Sequence, residues 1–502
     1  MKLLLVLFIG FLTSQAWAAI FRGVDAPESK AAPAELQGRK VQGVYTGARP
    51  KKGPVDPVLQ RAMKPGIPVK YEMYFSTGFK NDGTDAMILI CDTLAEGPVK
   101  AMETLAREGK APDFVAIGFT HTDLEPTLEG GSTRWMRKDL LDLATRDGVD
   151  FMTDEVLPAL EKEHGYRVSP DPDMHYMLGG SSGAVWAWNA CWYRNDYYRR
   201  CYLSSPTFSA INMGEEIPWL MRKMEPRPIK VVLNTGTIEP DDYFGASYPI
   251  ALQTERALDF AGYDYKYWIF EGEGHCSRFN HYESELEFME WIWKDWDTVP
   301  VTHPRICARL SEMTGGKEGW QEAPKGAKAP KKQKAAGPAG EYNASGGKII
   351  LVGPRGGEKV VAKGFGSISD LTVSSDRWKL YVADRNSNFV YSMSIEKDGS
   401  LSQLLKLCPL HKAMEAHRLG AEALCVAAND RIFCATELGV QCSISTGVVD
   451  VILPLPGDLP CDGVWLEGHT LWARSGKRLF NREINFEAKD PAVTTPAAYN
   501  LL

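Results

Sequence analysis

The chain has 502 residues, more than a single hydrophobic core organises, and its patterning divides it into two units. Apolar residues at 44% and charged residues at 24% argue against wholesale disorder and against a multispan membrane protein. A net charge of -7 supplies no basic footprint for a phosphate backbone, so nucleic acid is not an expected partner.

The chain opens with Lys2, an apolar run from Leu3 to Leu12, and Ala16-Trp17-Ala18 before Ala19. A charged start, a short apolar stretch and small residues three and one positions before a cut predict a signal peptide over 1–18, hence a secreted or periplasmic protein. The run is short of the roughly 20 residues that a bilayer span needs, so no membrane attachment is expected after cleavage. Residues 19–66, rich in Ala, Pro, Gly and Lys with little apolar periodicity, read as a tether.

From Val69 the pattern alternates between short apolar runs and amphipathic stretches. "VKYEMYF", "AMILIC", "FVAIGF", "MHYMLG", "RCYLSS", "KVVLNTG" and "YKYWIF" read as strands. "VDFMTDEVLPALEKEH" and "ESELEFMEWIWKDW" each gather apolar residues on one helical face. Strands alternating with such helices predict a parallel sheet covered on both faces over 67–300.

Within that unit, "YMLGGSSGAVWAWNAC" runs an apolar strand into Gly179-Gly180-Ser181-Ser182-Gly183 and then a helix. The Gly-x-Ser-x-Gly spacing serves a strained strand-to-helix turn that presents a nucleophilic serine, and it fits Ser181. The Ser182 N–H then faces a developing oxyanion, with a second donor expected from the backbone near Thr93 or Leu94, after "AMILIC". A serine hydroxyl needs a histidine base and a carboxylate to orient it, in the chain order serine, acid, histidine. The segment "TIEPDDYFG" offers Glu239, the preferred acid, with Asp241 as the alternative. Among His275, His281 and His303, His275 follows a strand and leads into the unit's last helix, so it is the preferred base and His281 the fallback.

Residues 313–347, rich in Lys, Ala, Gly and Pro, read as a low-complexity linker. From 348 to 502 the helical period gives way to short, closely spaced strands, an all-β domain of partial β-propeller type. The ten cysteines are scattered without metal-type spacing; Cys191 and Cys201 are a candidate pair, with buried thiols the alternative. Trp135, Trp186 and Trp188 are candidates for stacking on a substrate ring, although the spacing of the last two suits a core.

The segments "GGSSGA", "GTIEPDD" and "GEGHCSRFNH", in that order, resemble the esterase family that includes enterochelin esterases and feruloyl esterase modules, over roughly residues 66–298. The resemblance implies an α/β-hydrolase fold acting on carboxylic esters without metal or cofactor, and its Gly-x-x-acid arrangement favours Glu239 after Gly236. The expected substrate is a small-molecule or polysaccharide ester: acetyl, feruloyl, glucuronoyl or siderophore-type. The C-terminal stretch resembles gluconolactonase-like β-propeller repeats. It departs where such repeats bind metal, with Ser369 in place of Asn and Glu422-Ala423 in place of Asp-Gly. Its length of about 155 residues is also short for six blades of roughly 40 residues each, so lactonase activity is not expected. The alternative to an esterase is a catalytically inactive exported binding module built around the β domain.

Overall fold

The structure is a computed structural model that describes residues 34–45, 69–91, 93–120, 146–209, 214–304, 308–315, 319–412 and 418–489, with short strands at 21–22, 123–124 and 134–135. The expected signal peptide and its cleavage point lie outside the described residues.

The N-terminal half is built on one nine-stranded sheet: β1 (Phe21–Arg22), β2 (Arg39–Tyr45), β3 (Val69–Phe75), β4 (Ala86–Ile90), β5 (Phe114–Thr120), β6 (His175–Gly180), β7 (Arg200–Ser204), β8 (Lys230–Ile238) and β9 (Asp264–Gly274). Their spatial order is β1-β9-β8-β7-β6-β4-β5-β3-β2. Strand β3 runs antiparallel to both β5 and β2, and the pairs from β5 through β4, β6, β7, β8 and β9 to β1 are parallel. The carboxyl ends of β4, β6, β8 and β9 therefore share one edge.

Continuous apolar runs such as "AMILI" arise because both faces of the sheet are covered, so the two-residue period sorts side chains between two cores rather than between core and water. Met87 and Leu89 of β4 join one cluster, together with Leu157, Leu160, Val185 and Trp186. Ile88 and Ile90 join the other, with Val99, Met102, Phe288 and Ile292. The covering helices are α1 (Glu96–Arg107), α2 (Leu157–His164), α3 (Ser182–Tyr193), α4 (Glu216–Lys223), α5 (Ser247–Ala261) and α6 (Tyr282–Ile292). The single helix expected around 149–164 is interrupted: a wider π turn over Met152–Val156 joins Arg146–Phe151 to α2.

Helix α7 (Ala308–Thr314) leads into the β half, which comprises four four-stranded antiparallel sheets. Its strands are β10 (Gln321–Glu322), β11 (Ala336–Gly337), β12 (Gly340–Ser345), β13 (Lys348–Val352), β14 (Glu358–Lys363), β15 (Ile368–Val373), β16 (Lys379–Asp384), β17 (Phe389–Ile395), β18 (Leu401–Pro409), β19 (Ala423–Val426), β20 (Ile432–Thr436), β21 (Gly439–Ser443), β22 (Val449–Leu453), β23 (Gly463–Glu467), β24 (Thr470–Ser475) and β25 (Arg478–Glu483). The first three sheets take consecutive strands. The fourth is ordered β10-β25-β24-β23, so its outer strand comes from the beginning of this half and its other three from the end.

Two stretches expected to lack structure carry strands. The tether contains β2, paired from Arg39 opposite Phe75 to Tyr45 opposite Val69. The linker contains β10, β11 and β12, and Met313 at its start is buried in the core of the last two sheets. Composition conceals them because their order comes from backbone pairing with partners elsewhere, and most of their side chains stay outside the core.

The two halves share an apolar cluster. Met221 of α4 and the neighbouring Met224 pack with Val449 and Ile452 of β22, and Met224 forms a parallel bridge with Ile452. Ion pairs flank that contact: Arg227 with Asp458 at 2.5 Å and Arg482 with Glu225 at 2.8 Å. None of the nine described cysteines is in a disulfide; Cys191 and Cys201, the candidate pair, are buried neighbouring thiols sharing a hydrogen bond, which is the alternative weighed for them. Among the described residues no helix is long and apolar enough to cross a membrane.

Candidate active site

Ser181 follows β6 directly and caps α3. Its backbone sits at φ 57° and ψ −127°, a region that costs a non-glycine residue about 1–3 kcal/mol and persists only where the surroundings enforce it. Three backbone hydrogen bonds do so: Ser181 N–H donates to the Ser204 carbonyl at 2.9 Å, while its own carbonyl accepts from Ala184 at 3.0 Å and Thr207 at 3.4 Å. Gly179 is required by the same turn. A Cβ there would stand 2.2 Å from the Gly183 carbonyl oxygen.

Glu239 follows β8 and His275 follows β9. The His275 Nδ1–H donates to Glu239 Oε2 at 2.5 Å, a charge-assisted contact. The Glu239 side chain has no exposed surface, and its other oxygen accepts from Ser205 Oγ at 2.6 Å, Thr235 Oγ1 at 3.0 Å and the Gly236 N–H at 3.3 Å. Burial opposes ionisation of Glu239, yet the hydrogen bonds from His275 and Ser205, with the imidazole charge, outweigh it and hold the carboxyl below its usual range. For His275 the balance runs the other way from an ordinary imidazole. A hydrogen bond with the Cys276 side chain, followed by that with Glu239, outweighs burial and pushes it up to about 10.

The loop carrying His275 reaches back across β8 and β7 to the serine turn. Cys276 N–H donates to Ser205 Oγ at 3.0 Å and its thiol to the Ser204 carbonyl at 3.6 Å. A Cβ on Gly180, the residue before Ser181, would lie 3.1 Å from Cys276 Sγ. Residues adjacent in sequence to His275 and Ser181 are thus packed against each other.

Ser182 opens α3, so its N–H belongs to the first turn, where no intrahelical acceptor exists. Thr93 lies in the loop after β4, the neighbour of β6, and the Thr93–Leu94 peptide rests on Gly118, where a Cβ would meet Leu94 N at 2.3 Å. Asp241 is exposed in a small hairpin, Asp241–Asp242 with Gly245–Ala246, and Glu239 is the carboxylate on His275. His281 is exposed at the N-terminus of α6, and His303 Nδ1 lies 3.3 Å from the Pro226 carbonyl. Trp186 and Trp188 are buried in the core, and the Trp135 side chain lies outside the described residues.

Ser205, Thr235 and Cys276 were not found from the sequence. The available signal was the second serine in "YLSS", at a strand end beside the one carrying the acid. Its backbone is also left-handed, with φ 43°. In the β half, Ser369 Oγ donates to the Ala421 carbonyl at 2.5 Å and Glu422 accepts from Arg385 at 2.8 Å, so both positions are engaged within the protein. Among the described residues no group of three or more His, Cys, Asp or Glu side chains is arranged to hold a metal ion.

No family model matches the chain, and no curated protein matches it. Solved structures similar to part of the chain include a ferulic acid esterase, at 16% identity over 51% of this chain and 98% of that one with a TM-score of 0.37. Another is the enterobactin esterase of Shigella flexneri, at 11% identity over 52% of this chain and 61% of that one with a TM-score of 0.37. A gluconolactonase from Xanthomonas campestris is similar at 18% identity over 27% of this chain and 44% of that one, with a TM-score of 0.24. The chain spans less than two thirds of the enterobactin esterase and less than half of the gluconolactonase. Both kinds of protein that the sequence motifs resemble are among these structural neighbours.

Proposed function

We propose that this chain is an exported serine hydrolase of carboxylic esters, built on an α/β-hydrolase fold and working through an acyl-enzyme. The observation that carries the reading is the buried Glu239 on His275 Nδ1, on a loop packed against the strained turn of Ser181. With Nδ1 engaged, the other ring nitrogen takes the proton as Ser181 Oγ attacks the ester carbonyl, and Glu239 keeps the imidazole in the required tautomer. The negative charge on the carbonyl oxygen is met by the Ser182 N–H and by a backbone N–H at Thr93. The proton then passes from His275 to the departing alkoxide. Water repeats the sequence on the acyl-enzyme, which releases the acid and regenerates the Ser181 hydroxyl.

Export and the appended β domain, of propeller type, suit an ester on a carbohydrate, such as an acetyl, feruloyl or glucuronoyl group, or a siderophore-type ester. The test is Ser181→Ala with p-nitrophenyl acetate. Turnover should fall by at least about 10⁴-fold; undiminished turnover in a folded variant refutes the proposal.

A further inference from the structure

A cavity of about 580 Å³ lies in the β half, within the usual size range of small-molecule sites, and is lined in part by β15, β19 and β23. Its charged groups are sorted by depth. The carboxylates are withdrawn, with Asp370, Glu422 and Asp462 side chains 2%, 14% and 27% exposed. The cations against them keep about half their surface: 53% for Lys332, 47% for Arg385, and 45% for both Arg418 and Arg474.

The acids are occupied from within. Asp370 accepts from Lys332 and from the N–H groups of Leu371 and Leu424 at 2.6 and 2.8 Å. Glu422 takes Arg385 through Nε at 2.8 Å, with Arg418 at 3.9 Å. Asp462 takes Arg474 Nε at 2.5 Å and the Gly476 N–H at 2.7 Å. In Arg385 and Arg474 it is Nε that turns to the acid; Arg474 Nη2 also makes a long 3.5 Å contact to the Asp462 carbonyl, so the Nη end of Arg385 is the part best suited to grip a planar anion, with Arg474 beside it. Trp465 stands on the same wall, half-buried, with the Arg474 guanidinium 5.5 Å from its ring centroid. Its indole lies over Gly463, where any Cβ would come within 2.5 Å of the ring.

We propose that this cavity binds a carboxylate carried on a six-membered ring, the guanidinium groups taking the carboxylate and Trp465 the face of the ring. A sugar acid and a phenolic acid share that chemistry. The site does not depend on the esterase reading.

Isothermal titration of the full chain carrying Ser181→Ala, with sodium glucuronate, 4-hydroxybenzoate and glucose in turn, tests it. At least one of the two acids should bind saturably and glucose should not; whichever acid binds names the source. Arg474→Gln should weaken that binding about tenfold or more, as loss of one charged contact implies. Arg418→Gln, with its longer ion pair, repeats the test should the first variant fail to fold. Binding of neither acid, glucose binding as tightly as glucuronate, or binding unchanged in the folded variants overturns the proposal. Because Ser181 is already removed, none of these outcomes bears on the hydrolase assignment.

Discussion

A carboxylate with no exposed surface is costly unless hydrogen bonds replace its water, and Glu239 has three donors on one oxygen and an imidazole on the other. Ser205 links the whole set, since it donates to Glu239 and accepts from the N–H of Cys276. In the proposed mechanism it is a positioning residue. Ser205→Ala should lower kcat for p-nitrophenyl acetate about tenfold with little change in KM, and Ser205→Thr should restore part of it. Equal kinetics in wild type and Ser205→Ala would remove Ser205 from the mechanism. In the proposed mechanism the imidazole must be neutral to take a proton, so activity should rise with pH along a limb set by His275. The Cys276 side chain is the foremost cause of its elevation. Cys276→Ala should therefore move the acidic limb of the kcat/KM profile to lower pH, and an unmoved limb would contradict that coupling. Stability follows the same groups with opposite signs. The raised His275 contributes fully below its ordinary value of 6.5 and loses its contribution as pH climbs toward about 10. The depressed Glu239 contributes above its ordinary value of 4.5 and loses its contribution as pH falls below it.

The turn between β6 and α3 admits no larger residue at 179, because the contact there is with backbone rather than with a side chain that could move aside. Gly179→Ala should cost roughly 3 kcal/mol of stability in urea unfolding, and a wild-type midpoint would show that the turn relaxes more easily than its packing implies. That turn was readable from the sequence, as was the segment of each partner in the Glu239–His275 pair, because each is announced by neighbours within a few residues of a strand end. Central strands such as "AMILI" were readable for the related reason that burial on both faces demands unbroken apolar runs, and "VKYEMYF" because its buried and exposed positions alternate at its start. Strands β2, β10 and β12 were not. Gln321 finds its partner at Asn481, far along the chain, and neither Gln321 nor Glu322 is buried, so no local apolar pattern marks the strand. Ser205 was missed for a comparable reason: its role depends on Glu239 and Cys276, which arrive from two other loops.

The contact between the halves rests on α4. Met221 and Met224 enter a cluster that includes Ile452, and Arg227, stacked 4.4 Å from Trp192, pairs with Asp458. Removing a partner from a largely enclosed ion pair leaves a charge without its counter-ion, so Asp458→Ala should destabilise the protein by about 2 kcal/mol. The shared cluster also predicts one cooperative calorimetric transition for the wild type. Two separate transitions in wild type, or an Asp458→Ala melt identical to it, would show that the halves unfold independently. The outer strand of the last sheet, β10, has a further consequence for how the protein is made. Synthesis delivers Gln321–Glu322 long before Arg478–Glu483, so the segment emerges from the ribosome with no template to join. That sheet can form only after Arg478–Glu483 has been synthesised, whereas the N-terminal half has its strands in hand much sooner. A polypeptide stalled or clipped ahead of Arg478 would keep the nine-stranded sheet while presenting unpaired sheet margins in the β half, the kind of surface that chaperones and proteases recognise.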